Sequence, residues 1–163
     1  MSRQKRIYFQ NAVYHICIRG NNKQSVLVND TDKRSLLDSV EKFRSRFGFK
    51  LHAFVLMNNH AHLVIGTNGK INISKIMQAI TLSYSVKFRK KYLYTGYVWQ
   101  GRFKSNVIED EKYILECINY IHNNPARAGM VDSAKDYLWS SYHSYNDGEH
   151  PLKEYIKIDL FTV

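Results

Sequence analysis

Residues 51–65, LHAFVLMNNHAHLVI, constrain the fold more than any other part of the chain. A mostly apolar run, residues 51–57, meets Asn58-Asn59, and the alternating run His60-Ala61-His62-Leu63-Val64-Ile65 follows. Asparagine tolerates the left-handed backbone of tight turns, so the segment reads as two strands joined in a hairpin. Side chains alternate across a strand, which sends His60 and His62 to one face and Ala61, Leu63 and Ile65 to the other. A pair of imidazoles backed by an apolar layer suits a metal ion.

The flanking sequence supplies the rest of a small α+β fold. Residues 12–18, AVYHICI, are β-branched and aromatic and read as a first strand, broken by Arg19-Gly20-Asn21-Asn22. Asp30 or Thr31 can cap a helix carrying Leu36, Leu37, Val40, Phe43 and Phe47 at helical spacing up to Gly48. After the hairpin, Asn72 can cap a second helix through Ile73, Ile76, Met77, Ile80, Tyr84 and Phe88. Residues 92–101 read as a loop and 104–109 as a fourth strand. Asp110 can cap a third helix from Glu111 to about Asn123, stopped by Pro125, because the residue before a proline disfavours helical geometry. The order strand, helix, strand, strand, helix, strand is the ferredoxin-like split βαβ arrangement (βαββαβ). Right-handed crossovers put both middle helices on one face of an antiparallel sheet, and the third is expected beside them. The 163 residues form one domain, with a core at about 8–130 and a tail, 131–163, that shows no clear period.

Charge narrows the function. Lys and Arg number 24 against 14 Asp and Glu, a net charge of +10, which favours a polyanionic partner through field steering and counterion release. Aromatics are interleaved with that charge in Lys87-Phe88-Arg89-Lys90-Lys91-Tyr92 and in Trp99-Gln100-Gly101-Arg102-Phe103-Lys104. Unpaired bases stack on rings while cations hold the backbone, so single-stranded nucleic acid is the expected partner. The DNA-binding candidates are Arg19, Lys87, Arg89, Lys90, Arg102 and Lys104, with Trp99 as a stacking platform; the alternative for each is a solvated basic face. The basic start MSRQKRIYFQ leads into no apolar signal core, and no run approaches the roughly 20 apolar residues of a membrane span. Cys17 and Cys117 match no zinc spacing, so a reducing cytoplasm is expected.

A His-x-His pair by itself is more often surface or hydrogen-bonded histidine than a ligand pair. The remaining histidines, His15, His52, His122, His143 and His150, have no comparable spacing and read as structural or solvent-exposed; His52, in a buried strand, needs a hydrogen-bond partner. Tyr120 and Asn124 are four residues apart on the third helix and project from nearly the same side. Asn123 is almost as well aimed. Tyr142, Tyr145 and Tyr155 also precede Asn146, Glu149 and Asp159 by four, so spacing does not select one tyrosine from the 12. Only the regular helical context favours Tyr120.

Three ordered blocks carry a resemblance. Leu56-Met57-Asn58-Asn59-His60-Ala61-His62-Leu63, Trp99-Gln100-Gly101-Arg102-Phe103-Lys104-Ser105 and Tyr120-Ile121-His122-Asn123-Asn124-Pro125 resemble the signature blocks of the single-tyrosine HUH transposases, and among them the REP-associated tyrosine transposases. Arg19-Gly20-Asn21-Asn22 and Trp139-Ser140-Ser141-Tyr142 resemble that branch as well, and the match spans about residues 8–145. The resemblance implies a ferredoxin-like fold and an enzyme that cuts and rejoins single-stranded DNA near short hairpins. It makes His60 and His62 metal ligands with Ala61 between them, Tyr120 the nucleophile and Asn124 the third protein ligand. The implied cofactor is a divalent metal, Mg²⁺ or Mn²⁺. The implied partner is hairpin-bearing DNA of the REP or element-end kind, in the nucleoid. A homodimer is one arrangement, since the tyrosine helix of such proteins serves its own site or a partner's. Members of the insertion-sequence branch often carry glutamine where Asn124 stands, so the asparagine favours the REP-associated branch.

The chemistry explains these groups. A divalent ion neutralises a non-bridging phosphoryl oxygen and orients the phosphate for in-line attack. Neutral ligands leave the ion its full charge, and imidazole favours manganese over magnesium. A cation beside a phenol favours the phenolate, and exchanging one phosphodiester for a 5′-phosphotyrosine needs no external energy source. The chain has no GxxxxGK[ST] phosphate loop. The alternative from another class is a ferredoxin-like module that grips single strands without cutting, which the missing RNP-type aromatic strand disfavours. A structural zinc site at His60 and His62 is the third reading.

Overall fold

The alternation of β1 (Val13–Arg19) turns Tyr14, Ile16 and Ile18 into the core and His15, Cys17 and Arg19 to the other side. It pairs with β3 (His60–Gly66) and β4 (Lys104–Ile108), and β3 pairs with β2 (Lys50–Leu56), all antiparallel, in the order β2-β3-β1-β4. This is the ferredoxin-like order expected from the pattern. A computed structural model describes residues 7–162, and the basic start of the chain, with Arg3, Lys5 and Arg6, lies outside them. Among the described residues no helix is long and apolar enough to cross a membrane.

Register decides which side chains share a face. Ile16 opposes Leu63 and Ile18 opposes Ala61 on the buried side, while Cys17 opposes His62 and Arg19 opposes His60 on the other. The apolar face is covered by α1 (Asp30–Phe47) and α2 (Ile73–Tyr92), whose stripes Leu36, Leu37, Val40 and Ile76, Met77, Ile80 are buried. Helix α1 is capped one residue earlier than expected. Asn29 accepts from Asp32 N at 3.1 Å while the Asp32 carboxylate accepts from Asn29 N, a reciprocal capping box. Gly48, at φ 71°, ends it in the left-handed geometry that glycine adopts freely. Asn72 caps α2 through a 2.9 Å bond from Lys75 N.

The third helix, α3 (Glu111–His122), does not lie beside α1 and α2. It crosses the opposite face, against β2 and β4. The reason is burial: Ala53, Val55 and Val64 on that face are fully buried, and the stripe Ile114, Ile118 and Ile121 supplies their cover. A break at Asn123 and a short turn, α4 (Asn124–Arg127), follow.

The tail without a period is ordered by backbone pairing. It runs along the outer edge of β2: Leu56 N donates to Trp139 O at 2.8 Å, Ser141 N to Phe54 O at 3.0 Å and Asp159 N to Leu51 O at 2.8 Å. A short helix, α5 (Tyr142–Asn146), lies within it. Buried His52 finds its partner there, Nδ1 lying 2.7 Å from the Asp159 carbonyl oxygen.

Ser141 joins tail, sheet and α3. Its Oγ accepts from Phe54 N at 2.9 Å and lies 2.8 Å from His122 Nε2. His122 Nδ1 is buried without a partner among the described residues, and burial, with His150 adding to it, lowers the His122 pKa to about 4. Below its ordinary value near 6.5 the unfolded chain takes up the proton and the folded chain does not. Stability is therefore full above about pH 6.5 and is lost as pH falls toward 4. We expect urea unfolding to lose on the order of 2 kcal/mol from this group between pH 7 and pH 5. His122→Gln should remove this share of the dependence, leaving the shares of the other buried imidazoles such as His60 and His62; an unchanged slope in the variant would place the loss elsewhere.

Candidate metal and nucleophile site

Pairing of β1 with β3 assembles a row of rings on the face opposite the main core. His60 and His62 have centroids 5.2 Å apart and nearly perpendicular planes, and His62 meets His15 edge to edge, with centroids 5.1 Å apart and planes 22° from parallel. Tyr120 of α3 meets His15 edge-on, with centroids 6.5 Å apart. His15, expected to be structural or solvent-exposed, is half-buried and hydrogen-bonded beside the pair. It is a diagonal cross-strand neighbour of His62, joined to it by a 2.9 Å contact between His15 Nε2 and His62 Nδ1. The signal was available: His15, Cys17 and Arg19 alternate onto one face, and the split βαβ order puts β1 beside β3.

The turn before His60 works differently from expectation. Neither Asn58 nor Asn59 has positive φ. The asparagines act through hydrogen bonds instead. Asn58 O accepts from Val26 N and Leu27 N, and its Oδ1 accepts from Lys33 Nζ at 3.1 Å. Asn59 Nδ2 donates to Lys23 O at 3.3 Å, which turns its Oδ1 toward His60 Nδ1 at 2.7 Å. An amide oxygen only accepts, so His60 carries its proton on Nδ1 and offers the Nε2 lone pair.

The pair fits a metal ion by two observations. His60 Nε2 and His62 Nε2 have no hydrogen-bond partner among the described residues, and neither atom is sealed from solvent. Burial lowers the pKa of His60, with Arg19 adding to it, and burial with His15, His60 and Arg19 lowers that of His62 to about 3. Both rings are then neutral ligands at ordinary pH. Among the described residues no group of three His, Cys, Asp or Glu side chains is arranged to hold an ion.

Asn124 was expected to join the pair. It is half-buried, and its side chain makes no hydrogen bond among the described residues, whereas exposed Asn123 donates Nδ2 to Asn119 O at 2.8 Å. The break at Asn123 means that Tyr120 and Asn124 do not share one continuous helix. Tyr120 is 47% exposed, its hydroxyl has no partner among the described residues, and the Arg127 guanidinium lies 4.5 Å from its ring centroid. Arg127 escaped the sequence reading because no motif marks it; it reaches the ring from the turn after the break.

The nucleic-acid candidates divide. Arg19, Arg89, Trp99 and Arg102 line one cleft of roughly 370 Å³ between α2 and residues 97–103. Arg19 also faces the histidines, lowering the pKa of His60 and His62, and so links cleft and metal face. Lys104 opposes Cys17 on the metal face. Lys87 and Lys90 lie outside the cleft, Lys87 donating to Ser39 Oγ of α1 at 3.3 Å. Trp99 packs on Tyr84 at 5.4 Å and donates Nε1 to Thr81 O at 3.3 Å, leaving it half-buried. Arg89 donates twice to Gly96 O, at 3.1 and 2.9 Å, which shapes the loop.

Comparison with known proteins gives the chain's relatives. The family model described as "Transposase IS200 like" matches residues 8–124. A protein of Haemophilus influenzae named as a REP-associated tyrosine transposase is 28% identical over 137 residues, covering 73% of this chain and 77% of its own. The REP-associated tyrosine transposase of Escherichia coli K12 is 24% identical over 144 residues, covering 88% of this chain and 84% of its own. A solved REP-associated tyrosine transposase bound to a REP hairpin superimposes with a TM-score of 0.77. It covers 100% of this chain and 95% of its own at 22% identity, a likeness of fold.

Proposed function

The chain belongs to the IS200-like transposase family, and from that premise we propose that it is a metal-dependent, single-stranded DNA endonuclease and strand transferase of the REP-associated kind. Its substrate is a single strand bearing a hairpin, the class of ligand in the similar solved complex. One observation carries the reading. The half-exposed phenol of Tyr120, the His15 ring and the pair His60 and His62 stand in a row on one face, with both ligand-type Nε2 atoms free.

His60 and His62, with Asn124, would hold a Mn²⁺ or Mg²⁺ ion, which supplies charge neutralisation at a non-bridging phosphoryl oxygen. Asn59 holds His60 with its Nε2 lone pair outward. Arg127 sets a positive charge against the Tyr120 ring. The Tyr120 oxygen attacks phosphorus in line, the bond to the 3′-oxygen breaks, and that oxygen leaves as a 3′-hydroxyl after gaining a proton. The 5′-phosphotyrosine retains the bond energy, so the reverse attack by a 3′-hydroxyl rejoins a strand. Arg19 and Arg102 hold the backbone beside the metal face, and Lys104 flanks it.

A denaturing gel for covalent adducts tests the proposal. Hairpin-bearing single strands should give a protein–DNA adduct with Mn²⁺ or Mg²⁺ and none with a chelator. Tight hairpin binding without adduct, across varied hairpins and both metals, would replace it with a non-cutting binding module. Metal-dependent folding without nicking would mark a structural zinc site.

A further inference from the structure

We propose that His15 is a positioning residue for the metal pair: through its 2.9 Å contact it accepts the Nδ1 proton of His62 and so keeps the His62 Nε2 lone pair free for a divalent ion. The inference rests on the metal reading of His60 and His62.

The argument is one of proton counting. A neutral imidazole carries one proton on two nitrogens. Between His15 Nε2 and His62 Nδ1 only one proton fits, so two arrangements compete. In one, His62 Nδ1 donates, its Nε2 is a bare lone pair, and His15 holds its own proton on Nδ1. In the other, His15 Nε2 donates and His62 carries its proton on Nε2, where it blocks coordination. Only the first lets His62 act as a ligand. A coordinating histidine ordinarily owes its tautomer and ring orientation to such an outer contact.

The neighbouring ligand is set in the same way by a different residue. Asn59 receives the Nδ1 proton of His60, and its own amide is oriented by the Lys23 carbonyl. Each ring thus has its Nδ1 engaged and its Nε2 free, one through a side chain in the turn and the other through a side chain on β1. His15 is not itself one of three ligands, because among the described residues no three His, Cys, Asp or Glu side chains are arranged around one ion. The two rings meet edge to edge along this contact, with planes 22° from parallel, which also holds the ring plane of His62.

Two variants and two readouts decide the matter. His15→Phe keeps a ring in place but has no atom that accepts a hydrogen bond; His15→Gln can accept one through its amide oxygen. Mn²⁺ binding, followed by the free-ion spin resonance signal, should weaken about 10-fold or more in His15→Phe and recover to within about 3-fold of wild type in His15→Gln. Long-range ¹⁵N–¹H correlation spectra of the metal-free protein give a second reading. His62 should carry its proton on Nδ1 in the wild-type protein and shift toward the Nε2 form in His15→Phe. Equal Mn²⁺ affinity in wild type and His15→Phe overturns the role. So does an equal loss in both variants, which would make His15 a spacer. A wild-type protein that binds no Mn²⁺ defeats the metal reading itself; the tautomer of His62 then still reports whether His15 sets it. Should His15→Phe fail to fold, the wild-type tautomer and the His15→Gln affinity are decisive alone.

Discussion

Tyr120→Phe should abolish the covalent protein–DNA adduct, to below about 10⁻³ of the wild-type yield, while hairpin binding stays within about threefold. The separation is expected because the hydroxyl is structurally idle. It makes no hydrogen bond among the described residues and belongs to a side chain that is 47% exposed, so its removal orphans no buried group. The ring that packs against His15 and under Arg127 remains. A binding module would be indifferent to the change in both assays. Adduct formation at wild-type levels by the variant would remove Tyr120 as nucleophile and return the choice to Tyr142, Tyr145 and Tyr155. Of these, Tyr145 is already committed, donating to His52 O at 2.8 Å.

The double substitution His60→Ala and His62→Ala should remove Mn²⁺ binding and lower adduct formation by about a thousand-fold, the equivalent of about 4 kcal/mol of charge stabilisation at the phosphoryl group. Stability should change by no more than about 2 kcal/mol, because the Nε2 atoms of both rings hold nothing inside the protein. Melting temperature and metal titration on the same preparation distinguish this outcome from a structural zinc site, for which the variant would unfold. Adduct formation that survives the loss of both imidazoles would show that the phosphate is activated elsewhere, and the cleft lined by Arg19 and Arg102 would be the next place to look.

The site was partly legible in the chain. Alternation alone puts His60 and His62 on one side of β3 with Ala61, Leu63 and Ile65 on the other, and the register bears it out. The asparagines before them mark a turn, but the expected left-handed backbone is absent, and what the turn requires is their side-chain and carbonyl hydrogen bonds. Asn29, one position ahead of the predicted caps, won because its side chain reaches Asp32 N. The tail was illegible because its order comes from backbone pairing to β2, which leaves no periodic mark on side-chain identity.

By itself, the sequence determined what depends on neighbours a few residues apart: the element order, the helix stripes, the strand alternation and hence the imidazole pair. Tertiary structure decided what depends on which distant surfaces meet. The pairing of β1 with β3 carried His15 onto His62, 47 positions away. The apolar residues on the second face drew α3 across the sheet and with it Tyr120. Local preferences act through backbone dihedrals and nearby side chains, whereas register and face are chosen by the burial and hydrogen bonding of the whole sheet at once, so no short window of the chain carries them.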